Sequence, residues 1–143
     1  MQSINDPYEL RPGVPTVEVF RRLRTDAGLS DRAPEAVALG LPHTWYGVVL
    51  HHRGEPIGMG RIIGDGGTAF QIVDICVNPA HQGRGLGKRI MAALTAELDR
   101  RAPASAYVSL IADGPARLLY EHYGFQDVAR HDSVGMFRPT GSG

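Results

Sequence analysis

Between Val77 and Lys88 the chain reads Val-Asn-Pro-Ala-His-Gln-Gly-Arg-Gly-Leu-Gly-Lys, and residue types in that order suit a phosphate group. Gly83, Gly85 and Gly87 leave alternate positions of a turn without a Cβ, so the backbone can approach a bulky anion. A helix starting there presents backbone N–H donors that have no intrahelical partner, together with the positive end of its dipole. Arg84, Lys88 and Arg89 add cationic side chains around the same point. Two familiar phosphate loops fail on inspection. A mononucleotide P-loop ends in Gly-Lys-Ser/Thr, and Gly87-Lys88 supplies part of that, but Gln82 stands where its first glycine belongs. Arg89 replaces the hydroxyl that would hold magnesium. A dinucleotide fingerprint starting at Gly83 would need a glycine where Lys88 stands, and a βαβ setting that the preceding strands do not provide. A plain strand-to-helix turn needs one or two glycines rather than three alternating ones followed by a cationic first turn.

Gln82, Gly85 and Gly87 do satisfy Gln-x-x-Gly-x-Gly. With Val77 and Pro79 included, the stretch resembles, at every position, the acyl-CoA motif of the GCN5-related N-acetyltransferase family, Val-x-Pro-x-x-Gln/Arg-Gly-x-Gly-x-Gly/Ala. A second signature of that family is a short helix of the form Asn-x-x-Ala-x-x-Leu-Tyr-x-x-x-Gly-Phe. It is matched by Ala116, Leu119, Tyr120, Gly124 and Phe125. Asp113 departs, standing where the family has an Asn that contacts the pantetheine arm, and a carboxylate accepts but cannot donate. The likeness spans roughly residues 45–137.

The resemblance implies acetyl-CoA as co-substrate and no metal. It assigns Gln82, Gly83, Arg84, Gly85, Leu86, Gly87 and Lys88 to the pyrophosphate, and the backbone of Ile75, Cys76 and Val77 to the pantetheine amides, paired as an added strand would be. Asp113 and Tyr120 complete the cofactor side. A backbone N–H near Val77 would polarise the thioester carbonyl. Tyr120 would act as general acid, since a phenol with an ordinary pKa of about 10 holds its proton at neutral pH. Asp74, near the thioester on the central strand, is read either as general base, a role the resemblance equally allows to a water chain, or as the partner of an arginine in a structural salt bridge. The implied reaction is direct attack of a primary amine on acetyl-CoA, with a longer acyl group or an oxygen acceptor left open by the sequence. The acceptor stays open among small amines, antibiotics, peptide N-termini and protein lysines. The competing function, from a different class, is a catalytically silent acyl-CoA-binding regulatory or interaction module, which Asp113 favours and Tyr120 opposes.

Other residues invite chemistry and have a simpler reading. Cys76 on a strand is expected to be a small buried hydrophobe rather than a nucleophile. His51 and His52 are adjacent on a strand and point to opposite faces, which is wrong for sharing a metal; no cluster has metal-ligand spacing. His81 is expected to face solvent. Arg21, Arg22 and Arg24 are read as the wet face of the first helix, with an acidic acceptor or the CoA 3′-phosphate as the alternative partner. Trp45, Tyr46 and Phe70 are aromatic candidates for the acceptor side and equally for the core.

The elements that must position these groups follow from periodicity. Thr16 is a natural N-cap for a helix carrying Val17, Phe20, Leu23 and Ala27, stopped by Gly28. Pro34–Leu39 predicts a second short helix. Tyr8–Arg11, Trp45–His51, Ile57–Ile63, Phe70–Val77 and Tyr107–Ile111 predict strands. Leu86, Ile90, Leu94 and Leu98 form one stripe of a helix that Pro103 ends. Pro115–Tyr123 predicts a short helix, with closing strands at Phe125–Val128 and Val134–Phe137. The fold class is therefore mixed α/β: a mostly antiparallel central sheet, helices on both faces, and fourth and fifth strands splayed to admit the cofactor.

With 143 residues the chain is read as one acyl-CoA N-acyltransferase domain: a helical acceptor-side region at 1–44, the cofactor core at 45–137 and a tail at 138–143. Lys+Arg 15 against Asp+Glu 15 gives a formal charge of zero, which favours neither a nucleic-acid nor an anionic-membrane partner. A single cysteine and an N-terminus without an apolar run lead to the expectation of a cytoplasmic protein. The resemblance also allows a homodimer.

Overall fold

Thr16 opens the first helix as expected: its hydroxyl accepts from the Val19 N–H at 3.2 Å, and helix α1 runs Val17–Asp26. Pro34 stands at the start of α2, Pro34–Gly40, where its missing N–H costs nothing. The computed structural model describes residues 5–141. Strands β1 (Tyr8–Pro12), β2 (Tyr46–His52), β3 (Glu55–Gly64) and β4 (Ala69–Val77) follow in an antiparallel meander, and β5 (Tyr107–Ser109) joins β4 in parallel. The sheet order is β1-β2-β3-β4-β5. Between β4 and β5 runs α3, Leu86–Arg101.

Adjacent residues of β3 face opposite layers, as the period of a strand requires. Met59 is fully buried in a cluster with Phe20, Leu23, Val37, Leu41 and Cys76, the layer of α1 and α2. On the other face α3 buries Leu86, Ile90, Met91, Leu94 and Leu98 as it crosses β2, β3 and β4. The predicted apolar stripe is thus the face that meets the sheet. Trp45 and Phe70 stack edge to face, with ring centroids 4.7 Å apart, and Phe70 is fully buried, which makes it a core residue. Arg101 lies over the Trp45 ring at 4.1 Å.

By its contacts the chain divides into two units, Met1–Leu110 and Ile111–Gly143. The second holds a 3-10 turn at Gly114–Ala116, helix α4 (Arg117–His122) and a 3-10 turn at Val128–His131. Gly124 ends α4 in a Schellman motif: its N–H bonds Glu121 O at 3.1 Å and the Phe125 N–H bonds Tyr120 O at 3.3 Å. The closing strands expected at Phe125–Val128 and Val134–Phe137 are not formed. The Asp127 carboxylate accepts from the Ala129 N–H at 2.9 Å and winds the first segment into the 3-10 turn. Asp132 then turns the chain through a left-handed conformation (φ 57), and Val134, Met136 and Phe137 follow exposed and without regular structure. Apolar runs this short become strands when a partner edge fixes them.

Gly60 is the tightest point between sheet and helix. A Cβ there would lie 2.7 Å from Ile90 Cγ2 and 3.1 Å from Leu94 Cδ1, and both side chains are fully buried. Neither can swing aside, Ile90 least of all because it is β-branched. Gly60→Ala is expected to destabilise the protein by about 1–3 kcal/mol through overpacking, read as a lower denaturant midpoint with an unchanged slope.

Candidate active site

Strand β4 passes into α3 through the glycine-rich turn. Asn78 starts it, its side chain accepting from the Ala80 N–H at 2.9 Å, and Pro79–His81 makes one 3-10 turn. The side-chain amide of Gln82 then donates to Val77 O at 2.9 Å, tying the turn to the strand end it has just left. Gly83 and Gly85 hold φ values of 80 and 74, a left-handed conformation that costs glycine little. At both, a Cβ would meet nothing within 4 Å, so the space over the turn is open. Gly85 is the N-cap of α3 and brings no capping side chain. The helix's first N–H groups, beginning at Leu86, Gly87 and Lys88, therefore face the turn. Arg84 and Lys88 are exposed beside it.

Two residues near the turn differ from expectation. Arg89 is not a mobile cation: it pairs with Asp6 at 3.1 Å and donates to Tyr8 O at 3.4 Å. His81 does not simply face water, because its Nδ1 lies 2.7 Å from the Tyr8 hydroxyl and its ring 4.6 Å from that of His52. Desolvation, with His81, Arg53 and Arg84 nearby, pushes the His52 pKa down. The start of β1 and the residues before it therefore brace the turn, Tyr8 through His81 and Asp6 through Arg89, 73 and 83 positions away in sequence.

The second component is the free edge of β4. Strand β5 pairs with Ala69, Phe70 and Gln71 and goes no further, so that among the described residues no strand pairs with this edge from Ile72 to Val77. This is the expected splay of the fourth and fifth strands. On the opposite edge, Met59 pairs with Cys76 and Arg61 with Val73, so Asp74 and Ile75 together face Gly60. That two-against-one count is a β-bulge. Asp74 supplies its left-handed residue (φ 61), one of the few non-glycine types that tolerate it.

Asp74 is also held from both sides. Arg24 Nη1 reaches one carboxylate oxygen at 2.7 Å and Arg61 Nε the other at 2.7 Å. All three side chains are nearly buried, at 7%, 9% and 13% exposure for Arg24, Asp74 and Arg61. Of the two roles read for Asp74, the salt bridge to arginine is the one the geometry displays. Arg24 accordingly leaves the wet face of α1. It shares the 20, 23, 24, 27 stripe with Phe20 and Leu23, a spacing that marks it as core-facing. Arg21 and Arg22 do stay outside, paired with Asp31 and Asp26. Arg61, which lies over the Phe20 ring at 5.7 Å and donates to the Thr44 hydroxyl at 2.6 Å, is the site residue that sequence reasoning missed.

Cys76 is buried beside the bulge, and burial followed by the Asp74 charge pushes its thiol up to about 12. A thiol so held is no nucleophile at neutral pH. In the second unit, Tyr120 is half-buried on α4, and desolvation, then the charge of Asp113, pushes its phenol upward. Asp113 opens the 3-10 turn before α4, its carbonyl accepting from the Ala116 N–H at 3.1 Å. Ile75, Cys76, Val77 and Gln82 to Lys88 thus share the first unit, and Asp113 and Tyr120 share the second. No helix among the described residues is long and apolar enough to cross a membrane, and among them no three His, Cys, Asp or Glu side chains gather as metal ligands would.

Removing Asp74 leaves two buried guanidinium groups without a counter-charge. Asp74→Asn is expected to lower stability by about 3–5 kcal/mol, measured by denaturant unfolding, a loss that a base without a structural part would not cause.

Comparison with known proteins agrees with this geometry. The model of the GNAT acetyltransferase domain matches residues 43–127. A probable acetyltransferase of unknown function from meticillin-resistant Staphylococcus aureus is 42% identical, covers 93% of this chain and 99% of its own, and superposes with a TM-score of 0.87. A GNAT family acetyltransferase from Streptococcus pneumoniae shares the fold at 21% identity and TM-score 0.75, over 93% of this chain and 98% of its own. A predicted acetyltransferase from Clostridium acetobutylicum, solved with acetyl-CoA, shares it at 18% identity and TM-score 0.64, over 84% and 90%. No curated protein matches the sequence significantly. The phosphate-type turn, the splayed β4 edge and a match over most of the chain to a 42% identical relative make this protein a member of the GCN5-related N-acetyltransferase family.

Proposed function

We propose that the protein transfers the acetyl group of acetyl-CoA to a primary amine by direct attack. The observation that carries this reading is the conjunction of an open, left-handed glycine turn at a helix N-terminus with an unpaired strand edge. Gln82 links the two at fixed spacing through Val77 O. A pyrophosphate suits the turn, where Gly83 and Gly85 leave room that a Cβ would narrow. An extended amide-bearing arm suits the free edge of Ile75, Cys76 and Val77, which can exchange backbone hydrogen bonds with it. Acetyl-CoA supplies an activated acyl carbon, and the chain's own groups do the rest.

In this reading the turn orients the donor and the N–H groups at the end of β4, near Val77, stabilise charge on the acyl oxygen. Tyr120 gives its proton to the departing sulfur. Its raised pKa leaves it protonated across the neutral range, since a phenol ionises only as pH climbs through its pKa. Asp74 positions: with both oxygens engaged by guanidinium groups, it fixes the bulge, and the amine loses its proton to water.

Two variants test the reading. Gly85→Asp puts a carboxylate at the N-terminus of α3, where it would satisfy the helix dipole and so offset part of the left-handed strain. It would also occupy the anion position. Thermal stability should move little while acetyl-CoA affinity, measured by calorimetry, falls by about a hundredfold or more through like-charge repulsion and lost N–H donors; unaltered affinity would remove the turn from the site. Tyr120→Phe should lower kcat by about a hundredfold, the low end for loss of a general acid, and leave acetyl-CoA affinity near its starting value.

A further inference from the structure

A cavity of about 200 Å³ opens between α1, α2 and the sheet, with Phe20, Val37 and Leu41 as apolar walls and Arg32, Arg61 and Asp74 as its charged lining. Asp74, its one carboxylate, is committed on both oxygens, to Arg61 and to Arg24 behind the wall. The cavity therefore has a surplus of positive charge. Arg61 bonds through Nε and Nη1, which leaves Nη2 for an occupant. Arg32 bonds through Nη1 alone, to Ser30 Oγ at 2.7 Å and Asp31 O at 3.2 Å, so one edge of its guanidinium also remains. Asp31 itself is taken by Arg21.

We propose that the acceptor is a small amine carrying an anionic group, which Arg61 and Arg32 hold in this cavity. The inference rests on the acetyltransferase reading above and names the substrate class for it. Guanidinium groups with donors to spare are matched by a carboxylate or phosphate, whereas a polycationic acceptor meets like-charge repulsion from them. At about 200 Å³ the cavity has room for a molecule of amino-acid size. Phe20, Val37 and Leu41 offer contact to a short carbon skeleton. Asp74 immediately precedes Ile75, whose outer edge is proposed to carry the donor arm, so an occupant anchored on the arginines can direct its amine toward the bulge. Its nitrogen then bonds the acetyl carbon as the carbon–sulfur bond breaks. The nitrogen loses one proton to water and the thiolate gains one, which leaves an amide and free CoA.

The test is thiol release by the full chain at equal concentrations of free amine. The substrates are a panel of L-amino acids, the same amino acids as amides, phosphoethanolamine beside ethanolamine, and spermidine. An acid should exceed its own amide at least tenfold in kcat/KM, and phosphoethanolamine against ethanolamine tells whether a phosphate serves as well as a carboxylate. Arg32→Gln should raise KM for the anionic amines about tenfold and so narrow the advantage of each acid over its amide in kcat/KM; an unchanged acid-to-amide ratio overturns the role of Arg32. Faster turnover of amides or spermidine, or no turnover of any anionic amine while acetyl-CoA still binds, overturns the anionic acceptor and leaves the donor site standing. Failure to bind acetyl-CoA in calorimetry overturns both.

Discussion

Three charged side chains carry the architecture around the site: Arg24 from α1, Arg61 from β3 and Asp74 from the bulge of β4. Each would be costly to bury alone, and together they satisfy one another within a layer that is otherwise apolar. The pairing fixes where α1 lies on the sheet, because Arg24 must reach Asp74 at hydrogen-bond distance. It also holds an aspartate in a left-handed conformation, and so stabilises the irregular segment within the free edge of β4. Its net charge is positive, since two cations meet one anion. The polarity of the adjoining cavity is thus a by-product of how the fold is held together.

The glycine turn depends on the same strand. Its position is set by the Gln82–Val77 bond and by the start of β1 with the residues before it, through Tyr8 with His81 and Asp6 with Arg89. The long helix α3 then lies flat on the sheet because Gly60 gives it room. The buried ion-pair layer and the open edge are consequently built on neighbouring residues of one strand, with Asp74 serving the α1 layer and Ile75 to Val77 the edge.

What could be read in advance was local. Thr16, Pro34 and the Leu86, Ile90, Leu94 and Leu98 stripe specify helices by near-neighbour spacing, and Gly83, Gly85 and Gly87 specify the turn by composition alone. Asp74 stood out as an interruption in an apolar run, but its partners are fifty and thirteen residues away, and no spacing rule couples such distances. Arg24 was misread as solvent-facing because charge was weighed above its place on the Phe20 and Leu23 stripe. The expected strands at Phe125–Val128 and Val134–Phe137 rested on apolar content, which does not say whether an edge exists to receive them. There the short-range hydrogen bond of Asp127 prevailed.

The tie between Gln82 and Val77 has a consequence of another kind. It makes the end of β4 and the turn a gauge of set length, with the glycine turn at one mark and the bulge at the other. A gauge selects by length. In the proposed reaction, a donor whose anionic head and reactive carbonyl are spaced differently would not register at both marks at once, however well either end binds by itself. The order that the bond imposes beforehand is order that a correctly spaced donor need not supply on arrival.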